Sequence, residues 1–368
     1  MSEPVKRRIH ELDLLRGFFI LVIIIDHLQF WPSPLTFLTG EGRLWVSAAE
    51  GFFLISGLLI GYIRGYKGRN QPLTSISKKL AYRAFMLYAW GVGITFTVTG
   101  FTLLVGAHPL LPKLPAPEQL ASPLIFIQAV LSTNFFNDWI YYLRLYAIML
   151  LATPLFLWML RNDYWRVLVA IILGAYITSF AWPEGALQWQ VLFFGAGLIG
   201  YKLEDIITYM RNHPRFKNIF IATNLTFMFS TMILSFFFVH GWVLVETPAN
   251  TIMTRDSYVA IRTIIDPIFS DNPMMPGRIL LAFIWFTGAL ALTHVLRRYL
   301  LKYLGWLLIP LGERSLSAYC LQAILLSLVV ITIPISTYPV VNGLVALGVI
   351  LMCWGLLRLK PVQKLLPR

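Results

Sequence analysis

Four ionisable side chains lie inside strongly apolar runs of this sequence: Asp26 and His27 in the first run, Glu50 in the second, and Arg144 further along. Charge in hydrocarbon is costly, so such groups face a polar cavity or one another, and they mark functional sites by default. Each type brings its own chemistry. An imidazole titrates near neutrality and can take a proton from a hydroxyl. A carboxylate beside it can orient the ring and balance its charge. A guanidinium grips anions through a planar fork of donors. Arg16 precedes His27 by 11 residues, which at ~100° per residue is about 20° past three full turns. The two therefore share one helix face, ~16 Å apart. An extended ligand with phosphates at one end and a reactive acyl group at the other spans that gap, and acyl-coenzyme A has this shape. Arg16 taken alone is also what a topological anchor looks like. The buried groups admit two further readings. One is an ion-pair network that only pins helices together. The other is a proton relay through Asp26, His27, Glu50 and Arg144 in a proton-coupled secondary transporter. A relay has no use for Arg16 on the face of His27, whereas a coenzyme A site does.

Helices long enough to cross a bilayer must position these groups. Of the 368 residues, 58% are hydrophobic and only 13% charged, far from the balance of a soluble domain. Apolar runs recur at 12–31, 44–63, 80–105, 139–160, 165–182, 186–203, 219–240, 278–297, 315–333 and 338–358, each long enough to cross a ~30 Å hydrocarbon layer. The expectation is an all-α, polytopic bundle of about ten transmembrane helices forming one integral-membrane domain over 1–368. The first run carries Asp26 and His27 and meets no small-residue cleavage site, so it reads as a mature helix and not a signal peptide. The net charge of +13 sits in alternate loops. Lys6, Arg7, Arg8, Arg16, Arg64, Lys67, Arg69, Lys78, Lys79, Arg83, Arg161, Arg166, Lys202, Arg211, Arg215, Lys217, Arg297, Arg298, Lys302, Arg314, Arg358, Lys360, Lys364 and Arg368 fall on one side. Only Arg43, Lys113, Arg144, Arg255, Arg262 and Arg278 fall on the other. This positive-inside asymmetry puts both termini in the cytoplasm and accounts for the basic charge without nucleic acid. Two long outer segments stand out, one rich in proline (Pro109, Pro112, Pro115, Pro117, Pro123) and one, about 241–277, holding Asp256, Asp266 and Asp271.

Depth along these runs brings three groups together. His27 lies ~22 Å above the inner face, Glu50 ~21 Å and Arg144 ~22 Å, at ~1.5 Å per residue in a ~30 Å layer. A shared polar cavity is the expectation, with Glu50 as the group that orients the imidazole, since Asp26 is its neighbour in sequence and adjacent helical residues do not face each other. Gly57-Leu-Leu-Ile-Gly61, with Gly65 one turn on, allows a close helix crossing. A Gly-rich phosphate loop and a serine nucleophile elbow are absent, as is metal-ligand spacing among His10, His27, His108, His213, His240 and His294. Cys320 and Cys353 fall inside apolar runs, where a buried thiol is inert.

Several motifs then occur in order. Helix one reads Leu12-Asp13-Leu14-Leu15-Arg16-Gly17 and Ile25-Asp26-His27; helix two reads Ala48-Ala49-Glu50-Gly51-Phe52-Phe53-Leu54-Ile55-Ser56-Gly57. Arg83 with Leu87-Tyr88, Trp189-Gln190-Val191-Leu192-Phe193, and Leu304-Gly305-Trp306 followed by Pro310-Leu311-Gly312-Glu313-Arg314-Ser315-Leu316 complete the set. The chain resembles, over nearly its whole length, the OpgC-type branch of the acyltransferase-3 superfamily, including the superfamily's Arg-x10-His spacing. It departs at Leu143-Arg144-Leu145-Tyr146, where the family pattern has proline in place of Arg144, which suggests an acceptor-specific feature. The resemblance implies O-acyl transfer in a bacterial inner membrane, from cytoplasmic acyl-coenzyme A, succinyl or acetyl, to a hydroxyl of an extracytoplasmic glycan or glucan, with no metal. The expected partners are thus the lipid bilayer and that acceptor. The catalytic candidates are His27, as general base or brief acyl carrier, with Glu50 and Asp26. Arg16, Arg83, Lys78 and Lys79 are the expected coenzyme A phosphate ligands, and Arg144, Tyr146, Trp189 and Gln190 the expected acceptor lining.

Overall fold

The computed structural model describes residues 9–106 and 108–367. Lys6, Arg7, Arg8 and Arg368, counted above among the cytoplasmic charges, lie outside the described residues. The chain is 79% helical and has no strand among those residues, so the all-α expectation holds. Ten principal helices match the ten apolar runs. They are α1 (His10–Leu28), α2 (Ala48–Leu59), α3 (Leu73–Val105), α4 (Tyr141–Arg161), α5 (Trp165–Ala181), α6 (Gly185–Tyr201), α7 (Pro214–His240), α8 (Pro276–Val295), α9 (Ser315–Thr332) and α10 (Pro339–Leu356). Seven spans are long and apolar enough to cross a membrane: α2 with its continuation, α3, α4, α7, α8, α9 and α10; α5 is a shorter apolar helix. α1 carries Glu11, Asp13, Arg16 and Asp26, so its sequence is too charged to pass a hydropathy test. It is nonetheless enclosed by the bundle along most of its length.

Local chemistry sets the ends. Proline at the first turn starts α7, α8 and α10, where its missing N–H costs nothing. α3 begins at Leu73, directly after Pro72, and not near residue 80. Its 33 residues give a length of ~50 Å, more than a ~30 Å hydrocarbon layer requires, and Lys78 and Lys79 near its start are exposed. α2 runs on as a π-helix from Ile60 to Tyr66, and Arg161 at the end of α4 donates to the carbonyls of Gln71 and Gly68 just beyond it.

Two close crossings build the core. A Cβ on Gly57 would collide with the backbone of Phe193, one on Gly61 with Gly197, and one on Gly200 with Leu58. The glycine spacing of α2 therefore matches that of α6, as small residues at a helix interface allow. α1 crosses the Gly305–Glu313 helix in the same way, Gly17 against Leu308 and Gly312 against Asp13. The two ends of the described chain meet at one end of the bundle: Ser317 at the start of α9 donates to the carbonyl of Pro367, and Glu11 at the start of α1 meets Arg297 and His294. At the opposite end, segment 241–277 folds over the bundle as two short helices, Trp242–Glu246 and Arg255–Ile268. Tyr258, fully buried, anchors the second by donating to the carbonyls of Phe237 and Phe238. Cys320 and Cys353 are buried free thiols.

Candidate active site

Arg16 and Arg83 come from α1 and α3 to line one cavity, about 60 Å³ in volume and so with room for a few waters. Its walls are Ile23, Phe52, Phe53, Leu143 and Leu316, with polar points at Ser56, Tyr142, Tyr146, Ser315 and Tyr319. The Arg83 guanidinium lies over the Tyr146 ring, 5.8 Å from its centroid. From α1 the cavity takes Arg16 and Ile23; His27 lies about one turn further along the helix and is not among its walls. There the imidazole stacks on Trp139, with centroids 6.2 Å apart and planes 15° from parallel, and lies 6.5 Å from the Tyr319 ring. Its Nδ1 meets the side-chain amide of Gln322 at 3.1 Å. Gln322 is fully buried on α9, so the ring is held from two sides, by stacking and by one hydrogen bond.

Trp139 is positioned by its own local chemistry. It belongs to the 3-10 turn Asp138–Ile140, which Asn137 caps by accepting from the Trp139 N–H at 3.0 Å. The Asn137 N–H in turn reaches Thr95 on α3 at 3.3 Å. The turn leads straight into α4, which is how one side of the imidazole is tied to the outer end of the bundle.

The expected pairing of Glu50 with His27 is not what the structure shows. Glu50 is fully buried, and one carboxylate oxygen accepts from Arg278 Nε at 2.5 Å. The other accepts from the backbone N–H of Ser47 at 2.9 Å and from its hydroxyl. Ser47 is the N-cap of α2 and Glu50 its N3 residue, a capping box. That local geometry turns the carboxylate back onto its own helix end, while Arg278 arrives from α8. The signal was present in the sequence as Ser47-x-x-Glu50. Arg278, counted there only as an outer charge, is the partner that sequence reasoning missed.

The shared level of His27, Glu50 and Arg144 also resolves into separate places. Arg144 lies in a second cavity of about 240 Å³ with Lys113, Asn134, Asp138 and Tyr141, and pairs with Glu184 at 3.6 Å. Asp26 points to the short loop after α1, against Gly42 and toward Thr39 and Glu41. Equal depth did not produce contact, because each group projects from a different helix face. Of the expected acceptor lining, Tyr146 belongs instead to the cavity of Arg16 and Arg83. Trp189 packs between Phe53 and Tyr142, and Gln190 gives its amide to the carbonyl of Ile172 at 2.7 Å. The last two are packing groups of α6. Lys78 and Lys79 are exposed outside the cavity, one to two turns below Arg83. Among the described residues no group of three His, Cys, Asp or Glu side chains is placed to hold a metal.

Neither a curated protein nor a solved structure matches the chain. The family comparison is positive: residues 8–360, nearly the full length, match the family described as OpgC protein. The chain belongs to the OpgC family, a membership that ties this membrane protein in broad terms to the modification of glucans by acyl transfer.

Proposed function

We propose that the protein transfers an acyl group from cytoplasmic acyl-coenzyme A to a hydroxyl of an extracytoplasmic glycan, in a bacterial inner membrane. The observation that carries this reading is one cavity lined by Arg16, Arg83 and Tyr319, whose ring lies 6.5 Å from that of His27. Two guanidiniums on different helices suit the phosphates of coenzyme A, and Lys78 and Lys79, exposed on the inner extension of α3, add a basic rim. His27 takes the proton from the acceptor hydroxyl as its oxygen attacks the thioester carbonyl. The new C–O bond forms, the C–S bond breaks, and the imidazolium returns the proton to the coenzyme A sulfur. The acceptor approaches from the outer cavity, where Lys113, Asp138, Tyr141 and Arg144 offer hydrogen-bonding groups and Phe135 and Phe136 aromatic ones. The relay reading lacks such support: Glu50 pairs with Arg278 and Arg144 with Glu184, so the four groups form no chain.

The test is turnover of labelled acyl-coenzyme A by protein reconstituted in liposomes, with a glucan acceptor. His27→Ala should lose ~10²–10⁴-fold in rate while binding coenzyme A as before. Near-normal transfer by that variant, or no transfer from any acyl-coenzyme A by the unmodified protein, overturns the reading.

A further inference from the structure

The α9 helix places three polar groups on one stripe: Ser315, Tyr319 and Gln322, at positions i, i+4 and i+7. Each is buried, with exposures of 1%, 7% and 0%. The Ser315 Oγ and Gln322 Oε1 atoms find no hydrogen-bond partner among the described residues, and the Tyr319 hydroxyl has only the backbone of Tyr142 near it. Leaving a buried polar atom without a partner is costly, so a stripe of such groups along one cavity calls for an explanation. Ser315 and Tyr319 line the cavity of Arg16 and Arg83, and Gln322 reaches His27 beyond it.

Their heights form a ruler. α1 and α9 start from the same end of the bundle, and Gln322 is level with His27. Counting back at ~1.5 Å per residue puts Tyr319 ~12 Å and Ser315 ~6 Å above Arg16, with His27 at ~16 Å. The walls between them are apolar, formed by Ile23, Phe52, Phe53 and Leu143. A ligand that fits carries an anion at the bottom, two hydrogen-bonding groups about one helical turn (~5.4 Å) apart, and a reactive carbon at the top.

We propose that Ser315 and Tyr319 are the binding site for the pantetheine arm of the donor, each bonding one of its two secondary amides. This rests on the acyl-coenzyme A reading above. The arm follows its phosphates with a branched apolar segment, an amide, a two-carbon spacer, a second amide and the thioester sulfur, which is the order of groups the stripe presents. Hydroxyls suit amides because each donates and accepts. The site sets the length of the arm, so the thioester carbonyl stops beside His27 and not short of it.

The experiment uses calorimetry on the protein in detergent with two probes: coenzyme A, and 3′-phosphoadenosine 5′-diphosphate, which keeps all three phosphates and lacks the arm. Ser315→Ala and Tyr319→Phe each remove one hydroxyl and little volume, and thermal melting checks that each variant is folded. Each substitution should weaken coenzyme A about three- to tenfold, one neutral hydrogen bond, and leave the nucleotide probe unchanged. Arg16→Ala should weaken both probes. If either hydroxyl variant weakens both probes equally, or neither variant weakens coenzyme A, the pantetheine assignment fails while the donor reading stands. If coenzyme A does not bind the unmodified protein, both fall.

Discussion

Replacing Glu50 with Gln keeps its shape and removes its charge, and the structure says what that should cost. The carboxylate is fully buried and its partner Arg278 nearly so. Arg278 also donates to the carbonyl of Phe269 at 3.3 Å, so the pair ties the outer end of α2 to α8 and to the segment that covers the bundle. Removing one member leaves the other an uncompensated buried charge, a penalty of about 3–5 kcal/mol. At roughly 2 °C per kcal/mol for a chain of this size, the melting temperature should fall by about 6–10 °C. The pair as a whole contributes far less than that, because two desolvated charges largely offset their own attraction. Glu50→Gln combined with Arg278→Met should therefore recover more than half of the loss. The assay is thermal unfolding of the four proteins in detergent, with coenzyme A affinity measured on the same preparations. Affinity should stay within about twofold, since Glu50 bonds away from the cavity of Arg16 and Arg83. A single variant as stable as the unmodified protein, or a double variant worse than both singles, would refute the assignment of Glu50 to a structural pair with Arg278.

Three further outcomes follow from the same geometry. Gln322→Leu removes the amide N–H that reaches His27 Nδ1 and should lower kcat about 10–100-fold with KM for acyl-coenzyme A unchanged; Gln322→Glu, which offers only an acceptor and so favours the other tautomer, should not restore the rate, and a fully active Glu variant would contradict a role in setting the tautomer. Gly57→Leu drives a side chain into the backbone of Phe193 and should abolish stable folding, read as loss of a monodisperse peak in detergent, whereas Gly93→Leu on α3, where a Cβ meets nothing within 4 Å, should be tolerated. Arg144→Ala, in the outer cavity, should raise KM for the glycan acceptor and leave that for acyl-coenzyme A alone, in steady-state transfer assays; a change confined to the donor would misplace the acceptor.

Apolar runs made the ten helices legible, and seven spans are long and apolar enough to cross a membrane on their own. The start of α3 is not legible from hydropathy because Lys78 and Lys79 look like a loop, yet the helix begins at Leu73 and carries both lysines exposed. The Arg16–His27 face was legible because it is a property of one helix. Contacts between helices were not. Gln322 lies 295 residues from His27 and Arg278 lies 228 from Glu50, and no periodicity within a helix says which distant helix it will face. Depth narrowed the choice to a level, not to a neighbour, which is why Glu50 and Arg144 were placed beside His27. The Glu50 error had a local remedy in the Ser47-x-x-Glu50 capping box, while Ser315 and Tyr319 became visible only once α9 was set against α1.

Acyl transfer as proposed needs one ligand to span one helix face. A cryo-electron microscopy map of the protein with a non-hydrolysable acyl-coenzyme A analogue tests this most directly. Phosphate density is expected between Arg16 and Arg83, with an extended arm past Ser315 and Tyr319 and the acyl carbon within reach of the His27 imidazole. A ligand seated elsewhere, or one whose phosphates meet Arg16 while its acyl group points away from His27, would contradict it.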